Sequence, residues 1–315
     1  MPRPAVAGFG AFLSTNLIVI LVFEKLFEIF HYLMHFLLLT VLCSTSIALF
    51  LKYSDTKKGE PIVLLAGNYL VATVISLTIL LFKDDKIFSF ETLFFSLGLG
   101  LIFVLSFFSF AKAISYAGTG LATTSSRLSV IIPIIFSIIV YNELPNEFHH
   151  VGFALAIITF ILFYFSVKGD YKEGDGLLKY LFLIAVLVGI GVNDFSMKVF
   201  KSWRPEEEEP FFIFFIFSSA FVYSSIYIGV KKIRIIKSTV YWGLALGVPN
   251  VFSTIFLLGA LSLLPAILVY PLINVGIIVF TTLLAFIIWK EKLNRWGVLA
   301  LTSGLLAILF LSLGG

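Results

Sequence analysis

One arginine, Arg127, stands among Thr123, Thr124, Ser125, Ser126 and Ser129 inside an otherwise apolar stretch near 119–141. A charge deep in such a span is expensive to keep, so each one is a functional hypothesis by default. A guanidinium there could hold a carboxylate or phosphate through a forked hydrogen bond. The plainer alternative locks its helix to a neighbour by pairing with Asp194 or with carbonyls. Asp194 is the one acid well inside an apolar span, with Asn193 beside it and Lys198 four residues on. Acid before base at that spacing is the favourable helical order, which predicts an internal Asp194–Lys198 pair. The sharper alternative makes Asp194 a desolvated carboxylate that takes up a coupling proton or cation.

Uncharged polar side chains complete the candidate set. Asn68, Asn250, Asn274, Tyr270, Ser44 and Thr45 lie within apolar segments and could bind or orient a substrate; interhelical polar contact is the competing role. Asn250 and Asn274 each follow a proline. Pro249 and Pro271 remove a backbone donor and free the carbonyls of Ala245 and Ile267, where lipid offers no partner. Pro133, Pro249 and Pro271 are therefore expected hinges, and these spans are expected to be interrupted. Glu143 and Glu291 end two apolar segments, where capping a neighbouring helix or bonding a loop is expected, with a shared hinge or gate as the role symmetry suggests. Glu206–Glu209 reads as a solvated acidic turn, His149 and His150 as loop residues, and His31 with His35 as a pair lacking a third ligand. No metal and no cofactor is expected.

The elements that position these residues are membrane spans. The 315 residues are 60% hydrophobic and 13% charged, with mean hydropathy +1.07, far above the roughly 45 to 50% apolar share of a soluble globule. The sole cysteine, Cys43, forms no intrachain disulfide. The net charge of +4 comes from short loop clusters of Lys and Arg, the pattern that orients membrane proteins, and excludes a nucleic-acid face. Apolar stretches of crossing length lie near 35–52, 61–82, 92–114, 119–141, 149–168, 178–200, 210–230, 239–262, 266–289 and 296–313. Residues 1–33 are a hydrophobic extension containing Glu24, Lys25 and Glu28: an eleventh helix, an interfacial helix, or sequence preceding a true start at Met34.

The ten spans are one five-span unit written twice. Ser96–Ser115, SLGLGLIFVLSFFSFAKAIS, lies over Gly243–Ser262, GLALGVPNVFSTIFLLGALS, pairing Gly100 with Gly247 and Ser106 with Ser253. Continuing without a gap pairs Arg127 with Asn274. One inserted residue later Glu143 meets Glu291, and the segment ending at Pro61 resembles the one ending at Pro210. The units are 34–169 and 170–315. Five spans per unit place the second upside down relative to the first, an inverted repeat around a shared central site. Lys and Arg near span ends number 14 in the loops after the odd-numbered spans and 5 after the even-numbered ones, which predicts the first set to be cytoplasmic and the C-terminus outside.

The two-by-five organisation, Pro133 ten residues before Glu143, and Glu143-Leu144 recurring as Glu291-Lys292-Leu293 resemble the EamA-type permeases of the drug/metabolite transporter superfamily. LVYPLINVGIIVFTTLLAFIIWKEKL with Trp296-Gly297 also resembles the last two helices of small multidrug resistance proteins. The resemblance covers Met34–Gly315 and implies a secondary transporter with its substrate site between the halves. The chain departs from small multidrug exporters in its first span, which reads Cys43-Ser44-Thr45-Ser46 and has no membrane glutamate.

These observations lead to an all-α, multi-pass protein of a prokaryotic plasma (inner) membrane, with a small-molecule substrate, a coupling proton or cation, and a monomeric or homodimeric state. The substrate expected is a small metabolite, such as an amino acid or another carboxylate- or phosphate-bearing compound. Export of drugs or amphipathic compounds is the alternative, which the 36 phenylalanines would suit. An intramembrane enzyme would need a nucleophile or metal constellation at depth, and a channel a ring of like groups; neither pattern stands in the sequence.

Overall fold

The computed structural model describes residues 35–50, 60–83, 87, 89–167, 176–289 and 294–314. The extension 1–33 and Glu291 lie outside them. The helices are α1 (His35–Phe50), α2 (Pro61–Leu81), α3 (Phe90–Ala117), α4 (Thr119–Leu128), α5 (Ile131–Tyr141), α6 (Glu147–Val167), α7 (Gly176–Trp203), α8 (Glu209–Lys231), α9 (Lys237–Leu263), α10 (Ala266–Trp289) and α11 (Arg295–Gly314). Among the described residues no strand occurs. Among the described residues nine spans, with α4 and α5 together counted as one from Leu121 to Tyr141, are long and apolar enough to cross a bilayer, and α1 is a shorter apolar helix.

Local chemistry sets the helix ends. Ser89 caps α3 by accepting from the Thr92 N–H at 3.2 Å. Proline occupies the first turn of α2 and of α8, where its missing donor costs nothing. Gly118, at φ 84°, turns the chain sharply from α3 into α4 in a conformation that a side chain would strain. Asn146 and Asn294 cap α6 and α11 by accepting from the N–H three residues on, at 3.0 and 2.8 Å.

These two caps also fix the architecture. Asn146 Nδ2 donates to the Gly314 carbonyl at the far end of α11 (2.8 Å), and Asn294 Nδ2 donates to the Ser166 carbonyl at the far end of α6 (2.9 Å). The start of each helix therefore lies beside the end of the other, so α6 and α11, the last helices of the two units, run antiparallel. Only an inversion relates equivalent helices in that way. Other contacts exchange under the same operation: α2 packs on α9 as α8 packs on α3, and α10 on α11 as α4 on α6. Gly100 and Gly247 occupy equivalent crossings. A Cβ on Gly100 would fall 2.8 Å from the Ile216 carbonyl oxygen, and one on Gly247 2.6 Å from that of Asn68, so the backbones touch where lipid supplies no hydrophobic drive for association.

The expected hinges need one correction. Helices α9 and α10 continue through Pro249 and Pro271 without a break. The interruption falls instead at Ser129–Val130, between α4 and α5, just before Pro133, the third expected hinge. Pro133 has no N–H to offer the Ser129 carbonyl, which accepts from the Ile132 N–H at 3.0 Å in a tighter turn. Serine side chains compete for backbone partners on the same turn: Ser129 Oγ donates to the Ser126 carbonyl and Ser125 Oγ to Leu183 on α7, both at 2.6 Å. One missing donor leaves a helix intact; a missing donor within a run of competing hydroxyls does not. Gly191 of α7 accommodates the break, since a Cβ there would lie 2.9 Å from the Ser129 carbonyl oxygen.

Candidate substrate site

Arg127 is the penultimate residue of α4, two residues before the break. Its Nη1 donates to Asn274 Oδ1 on α10 at 3.3 Å, long for a charge-assisted bond. Asn274 is the repeat equivalent of Arg127. In an isologous arrangement a residue meets its own equivalent only at the two-fold axis, so this pair marks the pseudo-axis of the molecule. The orientation of Asn274 is fixed from behind, because its Nδ2 donates to the Tyr270 carbonyl at 3.0 Å. The Tyr270 hydroxyl in turn donates to the backbone carbonyl of Asp194 on α7. Arg127, Asn274, Tyr270 and Asp194 thus form one connected group across α4, α10 and α7, with α10 the most enclosed of the spans.

The Asp194 carboxylate feels the Arg127 charge, yet no contact of ion-pair length joins the two among the described residues. The expected Asp194–Lys198 pair does not form. Lys198 Nζ lies 2.7 Å from Glu143 Oε1 and over the Tyr141 ring at 5.2 Å. Tertiary packing offers the lysine a carboxylate at the end of α5, and that contact prevails over the weak along-helix attraction of a few tenths of a kcal/mol. The other oxygen of Glu143 is engaged as well, since Oε2 accepts from the Ile267 N–H in the first turn of α10 at 3.0 Å. This is a capping geometry on a neighbouring helix.

The remaining polar residues divide into scaffold and site. Asn193 Nδ2 donates to Ser106 Oγ at 3.2 Å, and Ser44 Oγ lies 2.7 Å from Ser253 Oγ. The second contact is the first one repeated, since Ser44 is the equivalent of Asn193 and Ser253 that of Ser106. Asn193 therefore bridges α7 to α3 beside Asp194. Thr45, the equivalent of Asp194, is buried, and its hydroxyl has no partner among the described residues. Asn68 is buried where α2 crosses α9. Asn250 is half-buried on α9, and its backbone carbonyl accepts from Thr254 Oγ1 at 3.2 Å. Tyr270 is 2% exposed with its hydroxyl already committed, so it positions α7 against α10 and is not free to grasp a ligand.

Two expectations outside the centre are overturned. His149 and His150 belong to the first turn of α6, where Asn146 caps and the His149 Nδ1 accepts from the Asn146 N–H at 3.0 Å. The acidic segment is not simply a solvated turn: Glu208 is 2% exposed, with Oε1 2.8 Å from Arg204 Nη2 and Oε2 accepting from Arg204 Nε, Ser89 and Thr92. That carboxylate holds Arg204 above the ordinary guanidinium range. A faint signal was present, since Arg204 and Glu208 are four residues apart; the α3 hydroxyls that bury the pair are more than a hundred residues away. Among the described residues no cluster of three metal-ligating side chains occurs.

The profile of the EamA-like transporter family matches residues 32–165, the unit that ends with α6. Over those residues the chain is similar to the EamA-like transporter family. An uncharacterized protein of Haemophilus influenzae is 29% identical over 287 residues, covering 87% of this chain and 96% of that one. A protein known from a crystal structure shares the fold at TM-score 0.71, with 16% identity over 88% of this chain and 95% of that chain. Together with the apolar helices, that match implies a multi-pass integral membrane transporter of the drug/metabolite transporter superfamily.

Proposed function

We propose that this EamA-like protein is a secondary transporter of a small anionic metabolite, bearing a carboxylate or phosphate, in a prokaryotic plasma membrane. It works by alternating access of the two inverted units. The observation that carries this reading is Arg127: it sits on the pseudo-axis, beside an interrupted helix, with one long hydrogen bond among the described residues from a group that has five N–H donors. An anion approaching from either side meets the same residue, which is what a site serving two alternately facing states requires.

Asp194 supplies coupling in this reading. While it is ionised, it competes with the substrate anion for the field of Arg127. Protonation removes that competition, so proton and anion bind together and are released together. The small multidrug exporters place their coupling acid in the first span; here that span carries Thr45, and its repeat equivalent on α7 is the acid. Asn250, half-buried on α9, completes the substrate contacts. The basic loops put the ends of α1, α3, α6, α8 and α10 in the cytoplasm.

Counterflow in proteoliposomes across a panel of small carboxylates and phosphate esters tests this. Arg127→Ala is expected to abolish transport. Asp194→Asn is expected to retain exchange but lose accumulation driven by a pH gradient. Normal transport by both variants would refute the site. Transport of cationic or neutral amphipathic compounds alone would favour the drug-export alternative.

A further inference from the structure

The C-terminal half of α7 carries a row of cations that do not serve the central group. Lys198, Lys201 and Arg204 follow Asp194 toward the helix end, and each is met by a carboxylate from a different direction. Lys201 is paired within its own unit, to Glu206 at 3.0 Å and Glu209 at 2.9 Å. The other two cross between units. Lys198 is held by Glu143, and Glu143 also caps α10, so the end of α5 in the first unit is tied to α7 and α10 of the second. Arg204 Nη2 donates to Ser89 Oγ at 2.7 Å, and Glu208 accepts from Ser89 and Thr92, tying the start of α3 to the end of α7 and the start of α8.

All of these contacts lie on one side of the membrane, the side at which α7 ends. Beneath the second tie, Phe95 of α3 packs edge-on to Trp203 and parallel to Phe212, and Phe200 stacks on Phe212 at 3.7 Å. Phe200 and Phe212 are fully buried. Shielded ion pairs are poor sources of net stability, because desolvation offsets most of their attraction; specifying one of two arrangements is their best-attested use. The α6–α11 seam shows the alternative, with neutral amide–carbonyl ties at both ends. A seam held alike at both ends is suited to remain shut, whereas a cross-unit ion pair and cross-unit hydroxyl bonds to an Arg–Glu pair at the end of α7 are suited to open.

We infer that Lys198–Glu143 and Arg204–Glu208 with Ser89 and Thr92 are two latches that close the pathway on the side where α7 ends, so that the structure is the conformer facing the opposite side. This rests on the alternating-access reading but not on the identity of the substrate. By the basic-residue pattern, the latched side is external.

The test uses full-length protein in a Cys43→Ala background with Ser126→Cys, beside Arg127, as reporter. Labelling by a membrane-impermeant maleimide is measured in vesicles of each orientation without substrate. Combined Lys198→Met and Ser89→Ala should raise labelling from the latched side about tenfold, the scale on which a minor conformer becomes populated, and lower it from the other. In a second variant, Ser89→Cys and Arg204→Cys joined by a short bis-maleimide before the reporter is read should confine labelling to the opposite side. Unchanged labelling from the latched side in the first variant, or labelling from that side in the second, overturns the latch. Failure of carboxylate counterflow with latch-dependent labelling intact would sink the substrate reading and leave the latch standing. A reporter unreactive from both sides in every variant would sink both.

Discussion

The interrupted α4–α5 helix and α10 are two copies of the same span, and they have diverged in opposite ways. Pro271 leaves α10 continuous, deeply enclosed and locked by Tyr270 and Asn274. The other copy breaks at Ser129–Val130 and carries Arg127. The first helices show the same division: Asn193 and Ser44 make equivalent bonds to Ser106 and Ser253, while the next residues are Asp194 and Thr45. Where the copies kept equivalent contacts they build scaffold. Where they differ in charge they make an asymmetric polar centre on a symmetric frame.

The sharpest way to break this comparison is to erase the divergence. Arg127→Asn makes the axial pair symmetric. It should lower anion counterflow by about 100-fold, corresponding to roughly 2 to 3 kcal/mol for hydrogen bonds to a charged group. Because the two residues meet at the axis, adding Asn274→Arg should restore counterflow by about tenfold, a partial recovery since Asp194 stays on one side. A double variant as inactive as the single one would show that Arg127 is not interchangeable with its equivalent.

The scaffold side predicts smaller, symmetric effects. Gly100→Ala and Gly247→Ala each force a Cβ against a carbonyl of the facing helix, and should each cost about 1 to 3 kcal/mol in thermal unfolding in detergent. Gly98→Ala, with open space at the same helix, should be neutral or stabilising by up to about 1 kcal/mol. Equal losses at all three positions would mean that close approach is not what these crossings require. Asn146→Ala and Asn294→Ala should each cost about 1 kcal/mol, with matching effects. A large effect at one and none at the other would show that the α6–α11 clamp is not symmetric in energy.

Much of this was legible in the chain. The spans and the all-α membrane architecture follow from hydropathy, and the antiparallel α6–α11 pairing agrees with the register of the repeat; the choice of Arg127, Asn274 and Asp194 as site residues is a reading of the cost of charge in lipid that the transport assays test. The partners of those residues were not legible. Lys198 lies four residues from Asp194 yet binds Glu143, Tyr270 spends its hydroxyl on an α7 carbonyl, and Glu208 is buried by hydroxyls of α3.

The sequence by itself determined the frame, because burial periodicity, helix caps and self-similarity are local or register properties that a linear reading captures. Only the tertiary structure decided which charges meet, where a span breaks and which helix end gathers the cross-unit ties. Those outcomes depend on competition among donors and acceptors far apart in the chain, and folding settles that competition by bringing a better partner within reach.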